Sequence, residues 1–143
     1  MKLEEIREMV EKDLKLNETE LFLNVNPTTD HWLGSGAGIS GLQYVFVITG
    51  KYVRIELAIL KSSKEKNKEI FKYLFNLKDT IELKFSNSLE WEELPENKMS
   101  RIKYQLNDVN LFDKADWEKI SQFFVKYLPK FESAFSSEIK NLK

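Results

Sequence analysis

The sequence predicts an α+β fold in which an antiparallel sheet, built from two β-hairpins, packs against helices. Alternating apolar residues over about residues 42–60 and 89–106 indicate the two hairpins. Apolar residues three and four positions apart over residues 64–85 indicate a long central helix, and similar stripes predict a helix near each end of the chain. Because hairpins rather than single strands alternate with the helices, we expect an antiparallel layered fold and not a doubly wound parallel one.

In the first predicted hairpin, two runs of β-branched and aromatic residues flank Gly50-Lys51. A glycine in the first position suits the type II′ turn that closes a two-residue hairpin. Pairing Thr49 with Tyr52 then separates the side chains into a core face and an outer face. The core face carries Leu42, Tyr44, Phe46, Ile48, Val53, Ile55, Leu57 and Ile59. The outer face carries Gln43, Val45, Val47, Tyr52, Arg54, Glu56 and Ala58.

The second predicted hairpin, residues 89–106, has charged residues on its outer face. Glu90 and Glu92 alternate with apolar residues on its first strand, and Arg101 and Lys103 do so on its second. A Pro-Glu-Asn-Lys turn joins the two strands. Opposite charges that face each other across a strand pair stabilise it, so we expect cross-strand ion pairs here.

The helices are predicted from apolar stripes that need a surface to pack on. An amphipathic helix is expected over residues 2–15, and one continuous helix over residues 64–85, with Ser62 or Ser63 as its N-cap. The C-terminal helix is expected to start at Asp113 or Asp116. Its stripe consists of Trp117, Ile120, Phe124, Tyr127, Leu128, Phe131, Phe135 and Ile139, and Pro129 is expected to kink or split it.

Length and composition limit the possible functions. The 143 residues suit a single domain, residues 1–143, and the formal net charge of -1 argues against strong non-specific binding to DNA. The absence of cysteine excludes thiolate metal sites, thiol nucleophiles and disulfides. The charged N-terminal segment does not resemble a signal peptide, and no run of about 18 apolar residues occurs, so we expect a cytoplasmic protein without a membrane partner.

A glycine-rich segment, residues 34–41, contains the Gly-x-Gly-x-x-Gly spacing of nucleotide-binding loops in Gly36, Gly38 and Gly41. In dinucleotide-binding folds this motif opens a helix, whose N-terminus meets the pyrophosphate. Here it ends a loop predicted over residues 26–41 and precedes a strand, so that mechanism lacks its helix. We expect a loop that requires either positive φ angles or tight packing against the hairpin and that ends in a bulge, and small-ligand binding beside it is a third functional hypothesis.

Two patterns suggest metal-dependent nuclease chemistry, and both are incomplete. Glu82-Leu83-Lys84 spells the Glu-x-Lys of such enzymes, but it lies within the predicted central helix rather than on a strand. The order of elements also resembles restriction-endonuclease cores, with Glu56 on the third strand, although the lysine that should follow is absent.

The alternative hypothesis is therefore a degenerate Mg²⁺-dependent nuclease centred on Glu56, with Asp30 and His31 nearby. His31 is the only histidine, and no nucleophile or metal-ligand spacing accompanies it, so a structural role is favoured and no metal site is predicted. The simpler interpretation of Glu56 is a surface ion pair with Arg54, two residues away on the same face. More broadly, the outer face suits either a solvated surface with ion pairs, which we favour, or a single-stranded nucleic-acid surface.

Four segments resemble the domain of unknown function 4268 family over about residues 30–136. They are GSGAGISGLQYVFVITGKYVRIELAI, NKEIFKYLFNLKDTIELKF, LEWEELPENKMSRIKYQL and DWEKISQFFVKYLPKFESAF. The Leu-x-Trp-x-x-Leu pattern followed by Ser-Arg-Ile is the most specific part. The matching residues are Gly41, Arg54, Glu56, Asn67, Ile81, Glu82, Leu89, Trp91, Leu94, Ser100, Arg101, Ile102 and Trp117.

The resemblance implies an accessory module of the kind that follows nuclease-like domains in bacterial and archaeal proteins, near DNA restriction, repair or defence. It implies no particular reaction or cofactor, and here only a short predicted helix precedes the resembling region. The leading hypothesis is a non-catalytic module that binds DNA or a nuclease-type protein partner. The expected binding residues are Arg54, Glu56, Arg101 and Lys103, with Gly36, Gly38 and Gly41 beside them. Mg²⁺ belongs to the alternative hypothesis alone, and oligomeric state stays open.

Overall fold

The computed structural model describes residues 8, 32–48, 51–110 and 113–142. Its strands are β1 (Trp32–Gly36), β2 (Leu42–Ile48), β3 (Tyr52–Ile59), β4 (Glu90–Glu92) and β5 (Ser100–Asn107). Its helices are α1 (Lys64–Phe75), α2 (Lys78–Phe85) and α3 (Trp117–Lys140), with a 3₁₀ turn at Lys114–Asp116 before α3. The α+β class is confirmed. The predicted helix over residues 2–15 lies outside the described residues, apart from a helical Glu8.

The strands form one antiparallel sheet in the order β1-β2-β3-β5-β4. Ile48 pairs with Val53, which is the register that follows from the predicted pairing of Thr49 with Tyr52. Gly50 of the predicted Gly50-Lys51 turn and the preceding Thr49 lie outside the described residues. β3 and β5 pair along their full lengths, so the two predicted hairpins lie side by side and share one common outer face.

β1 corrects the expectation of a loop over residues 26–41. Residues Trp32–Gly36 pair with β2 at the edge of the sheet, from Trp32 opposite Val47 to Gly36 opposite Gln43. Glycine and serine are poor strand formers by propensity, but an edge strand is held by its backbone hydrogen bonds to one neighbour. Only residues 37–41 form the turn into β2, in which the Ala37 N–H donates to the Leu42 carbonyl at 3.0 Å.

The central helix is two helices rather than one. α1 ends at Phe75 and α2 starts at Lys78, because the chain turns at Asn76 and Leu77. Asparagine is a weak helix former, and the Asn76 N–H closes α1 on the Lys72 carbonyl at 3.0 Å. At the other end of α1, the Ser63 hydroxyl accepts the Lys66 N–H at 3.2 Å, which confirms the predicted N-cap.

α3 is continuous through Pro129, so the predicted split does not occur. Its aromatic stripe packs on the core face of the sheet, and Phe46 lies 4.7 Å from Phe124 between ring centroids. A proline inside a helix removes one backbone hydrogen bond, and burial of the stripe on both sides of Pro129 offsets that loss. Asp116 occupies the N-cap position of α3. Its carboxylate accepts the Asn110 N–H at 2.9 Å and does not bond an amide of α3. None of the described helices is long and apolar enough to cross a membrane.

Candidate functional site

The centre of the outer sheet face is an ion pair between Arg54 and Glu56 on β3. The Arg54 Nε donates to the Glu56 carboxylate at 2.8 Å. The Arg54 guanidinium also lies 5.5 Å from the centre of the Tyr52 ring and donates to the Tyr52 hydroxyl at 3.4 Å. The predicted pair is confirmed, but its predicted surface position is wrong, because the Glu56 side chain is only 5% exposed and that of Arg54 only 16%.

Glu56 lies beside apolar residues on β2, while Lys103 is directly opposite it on β5. Val45, directly across from Glu56 on β2, forms a small hydrophobic cluster with Val47 and Ala58, against which Tyr52 and Met99 pack. A carboxylate in such surroundings requires a partner, since loss of one member of a buried ion pair costs about 3–5 kcal/mol. Arg54 supplies that partner. The outer face therefore has an apolar centre with a neutralised charge inside it, and not the solvated character that we expected.

A second set of ion pairs joins β5 to the edge strand β4, as predicted. Arg101 Nε donates to the Glu92 carboxylate at 2.8 Å, and Lys103 Nζ lies 3.3 Å from Glu92 and 3.4 Å from Glu90. Partial burial opposes ionisation of Glu92, but the hydrogen bonds and charges of Arg101 and Lys103 outweigh it and hold the pKa of this carboxyl below its ordinary value. Glu90 is the most exposed member of the set, with 59% of its side chain accessible.

The charges of this face are balanced. Three basic residues of this face were predicted to bind a partner, namely Arg54, Arg101 and Lys103. Each of them contacts a carboxylate within 3.4 Å. Binding to a phosphate backbone gains affinity from cations that are free to replace condensed counterions. Bases that already neutralise carboxylates offer little of this gain, so the face is better suited to a protein surface with its own alternating charges.

The glycine-rich segment does not join this site. Gly36, at the end of β1, lies in the same row across the sheet as Arg101, but three strand spacings away, or about 14 Å. Gly38 and Gly41 have φ angles of +100° and +87°, as the predicted positive-φ loop requires. A Cβ on Gly41 would lie 2.6 Å from Lys61 Cγ, so this glycine is needed for the close passage of two chain segments.

Glu82 and Lys84 lie on α2 and form no nuclease site. The Glu82 carboxylate accepts the Leu89 N–H at 2.7 Å and the Trp91 indole N–H at 3.1 Å. Lys84 instead lies 3.5 Å from Glu138 on α3. In the part of the chain that the structure describes, no three acidic or histidine side chains are grouped so that they could hold a metal ion.

The other residues of the nuclease hypothesis, Asp30 and His31, lie outside the described residues. Glu56 itself is engaged with Arg54. A metal-binding carboxylate needs free oxygen lone pairs directed at the ion, and a buried carboxylate held by a guanidinium is poorly prepared for that role.

From the sequence alone, no role was predicted for two polar residues near the start of α1, Asn67 and Lys68. Asn67 is fully buried, and its side chain bonds the Lys61 N–H at 2.8 Å, the Lys61 carbonyl at 3.0 Å and the Lys98 carbonyl at 3.0 Å. The available signal was its position four residues before Phe71 and seven before Leu74, on the apolar stripe of the helix.

The neighbouring Lys68 holds the loop between β4 and β5. Its Nζ lies 2.5 Å from the carbonyl oxygen of Glu93, 2.9 Å from that of Leu94, 2.7 Å from that of Met99 and 2.9 Å from the Ser100 hydroxyl, so its three N–H groups are shared among four acceptors. Leu94 adopts a φ of +54°, which a residue other than glycine rarely does. This ammonium therefore anchors a strained loop on α1, and no sequence motif marks the arrangement.

Many residues that carry the family resemblance thus have a structural role. Gly41 permits close packing, and Asn67, Glu82 and Ser100 bond backbone groups outside their own helix or strand. The paired Arg54 differs from them, because it lies on the outer face and binds a buried charge there. Packing of the main core does not explain Arg54, its partner Glu56 or Arg101, which is paired with Glu92 on the same face.

The comparisons with known proteins agree with the resemblance and extend it. No curated protein and no solved structure matches the sequence. The family described as Domain of unknown function (DUF4268) matches residues 4–139, which adds the N-terminal segment to the region expected from the four sequence segments. Because that match covers nearly the whole chain, the protein belongs to the DUF4268 family.

Proposed function

We propose that the protein is a non-catalytic module that docks a protein partner of DNA processing, restriction or defence through the outer face of its sheet. The paired charges at the edge of this face carry the proposal, because Arg101, Glu92 and Glu90 are accessible to a partner, whereas the ion pair of Arg54 and Glu56 is nearly buried at the centre of the face. Arg101 and Lys103, with Glu90 and Glu92, extend the same charge pattern to the edge of the sheet. The link to DNA processing rests on the nuclease context that the family resemblance implies.

A binding role suits this surface better than catalysis. Within the described residues, the acidic side chains of both nuclease patterns are engaged in internal contacts, Glu56 with Arg54 and Glu82 with Trp91. A general base or a metal ligand must instead face the substrate. A protein partner is favoured over DNA because the bases of the face are neutralised, whereas rims of alternating charge give protein interfaces their specificity.

The test uses a charge-swapped variant, R101E/K103E/E90K/E92K. In this variant β4 and β5 can still form ion pairs with each other, but every charge that a partner meets there has the opposite sign. The matched control, K72E/K140E, changes two exposed lysines on the helix side of the protein. The full-length tagged chain is crosslinked in its native cells, the partner is identified by mass spectrometry, and the purified pair is measured by calorimetry. We expect a partner with a nuclease, helicase or methyltransferase domain to bind the wild type and the control, and the swapped variant at least about tenfold more weakly.

Three results would contradict the proposal. A purified partner that binds the swapped variant as tightly as the wild type would remove this face from the interface. Low-salt gel shifts in which single- or double-stranded DNA binds and R101E/K103E abolishes that binding would make DNA the ligand. DNA cleavage with Mg²⁺ or Mn²⁺ that disappears in a folded Glu56→Gln variant would make the protein a nuclease.

A further inference from the structure

A groove on the helix side of the sheet lies between the end of β5 and the first turns of α3, away from the outer face. Its volume is about 470 Å³, which falls in the range of small-molecule sites. Its apolar lining consists of Leu106, Val109, Phe123 and Tyr127. Asp108, with a φ of +61°, turns the chain at the end of β5, and the next residue, Val109, is buried in the groove wall.

The apolar wall is continuous with the aromatic core. Phe123 stacks on Tyr104 with 5.8 Å between ring centroids, and Tyr127 lies 4.9 Å from Tyr104 and 5.4 Å from Phe123. These rings are held by one another, so the wall is rigid before any ligand arrives. A preformed apolar wall of this kind favours binding, because little side-chain freedom is lost.

The rim of the groove is basic. Lys119, Gln122 and Lys126 line it from α3 at spacings of three and four residues, which places them on one side of the helix. Within the described part of the chain, neither lysine forms an ion pair, in contrast to the bases of the outer sheet face. The Lys126 ammonium lies 5.2 Å from the centre of the Tyr127 ring, so that ring already faces a cation. Among the described residues, Asp108 is the one acidic residue of the lining.

We propose that this groove binds a small amphipathic anion, an alkyl or aryl carboxylate whose apolar body contacts Phe123 and Tyr127. Its carboxylate lies over Gln122 between Lys119 and Lys126, whose long side chains reach it from either side. A cationic ligand is disfavoured, because two lysines outnumber the single carboxylate of the lining and one of them occupies the Tyr127 face. The proposal concerns a different surface from the docking face and stands independently of it.

The test is a titration of the ¹⁵N-labelled full chain with sodium octanoate below its micelle concentration, and separately with 4-phenylbutyrate. Saturable amide shifts are expected in Asn107–Val109 and in the first three turns of α3. Lys119→Gln and Lys126→Gln are each expected to weaken binding by about fivefold, and Gln122→Glu more than either, because it places a negative charge under the carboxylate. Lys130→Gln, an exposed lysine on the same helix outside the groove, is the matched control and is expected to bind as the wild type does.

Thermal unfolding of each variant checks that these exposed substitutions leave the fold intact. Octyltrimethylammonium and octyl glucoside test the sign of the charge, and high salt is expected to weaken binding of the carboxylates. The proposal is overturned if neither carboxylate gives saturable shifts, if the cation or the neutral detergent binds as tightly, or if the lysine substitutions change affinity no more than Lys130→Gln does.

Discussion

Glu82 on α2 accepts the indole N–H of Trp91 on β4 at 3.1 Å, and this bond connects the end of the helix pair to the edge of the sheet. The same carboxylate accepts the backbone N–H of Leu89, one residue before β4, at 2.7 Å. Between them, Ser86 reverses the chain with a φ of +71°. One acidic side chain therefore satisfies two donors at the point where the chain passes from helix to strand.

We expect Glu82→Ala to destabilise the protein by about 2 kcal/mol, because two donors lose a charged acceptor. The measurement is urea unfolding, together with the chemical shift of the Trp91 indole proton, which should move when its acceptor is removed. Leu83→Ala is the matched control on the same helix, since Leu83 is 80% exposed. If both substitutions have the same effect on stability, the Glu82 contacts do not stabilise this junction.

The sequence was sufficient for the class of fold and for the two faces of the sheet, because strand alternation depends only on local geometry. It placed Arg54 and Glu56 together on the outer face, and Glu90 and Glu92 opposite Arg101 and Lys103. The burial of Glu56 could not be predicted in this way, because it depends on which other groups cover the face. In the same way, apolar periodicity predicted the buried side of residues 64–85 but not the turn at Asn76. The turn escaped prediction because the apolar residues continue on the same side before and after it.

Gly41 tests whether the glycine-rich segment is structural. Gly41→Ala is expected to destabilise the protein by about 1–3 kcal/mol, because its φ is +87° and the added methyl group would lie 2.6 Å from Lys61 Cγ. Gly36→Ala is the control, since a Cβ at Gly36 meets no atom within 4 Å. Thermal unfolding measures both. An unchanged melting temperature for Gly41→Ala would show that the turn rearranges without penalty.

The contacts of Lys68 and the close approach of Gly41 to Lys61 were hard to predict for the same physical reason. Lys68 bonds three carbonyls that are more than 20 residues away in the chain, and Gly41 is constrained by Lys61. Both relationships arise only when distant segments meet, so no local pattern records them. By contrast, the Ser63 cap and the positive φ angles of Gly38 and Gly41 are set by neighbouring residues and were predictable.

Glu92 should make the stability of the protein depend on pH. Its pKa is lowered from an ordinary value of 4.5, so its ion pairs with Arg101 and Lys103 stabilise the fold above that pH and are lost as the pH falls through the lowered value. Glu92→Gln is therefore expected to lower stability at neutral pH by no more than about 1 kcal/mol, since the pair is partly exposed.

The difference between wild type and Glu92→Gln is expected to shrink as the pH falls below 4.5. Urea unfolding at several pH values measures it, and Glu96→Gln, in the exposed loop after β4, is the control. A difference that stays constant from neutral pH to strongly acidic pH would show that the Glu92 charge contributes nothing to the fold.

Tyr44 on β2 places a hydroxyl group in the core, where no hydrogen bond among the described residues compensates for its burial. The residue is 3% exposed, its ring contacts Phe131 edge to face at 6.2 Å, and its hydroxyl has no hydrogen-bond partner among the described residues. Burial, followed by the negative charge of Glu132, raises the pKa of the phenol, so it remains neutral at ordinary pH. A buried hydroxyl without a partner carries a desolvation penalty of about 1–3 kcal/mol.

Tyr44→Phe keeps the ring and removes that hydroxyl, so we expect it to stabilise the protein by about 1 kcal/mol in urea unfolding. Tyr73→Phe, at a half-buried position on α1, is the control and is expected to change stability by less than about 0.5 kcal/mol. A loss of stability in Tyr44→Phe would mean that a bound water or a side chain satisfies the hydroxyl in solution. The Tyr44 hydroxyl would then belong with Asn67 and Glu82 among the polar groups that hold the fold together, rather than being a penalty that the surrounding aromatic core offsets.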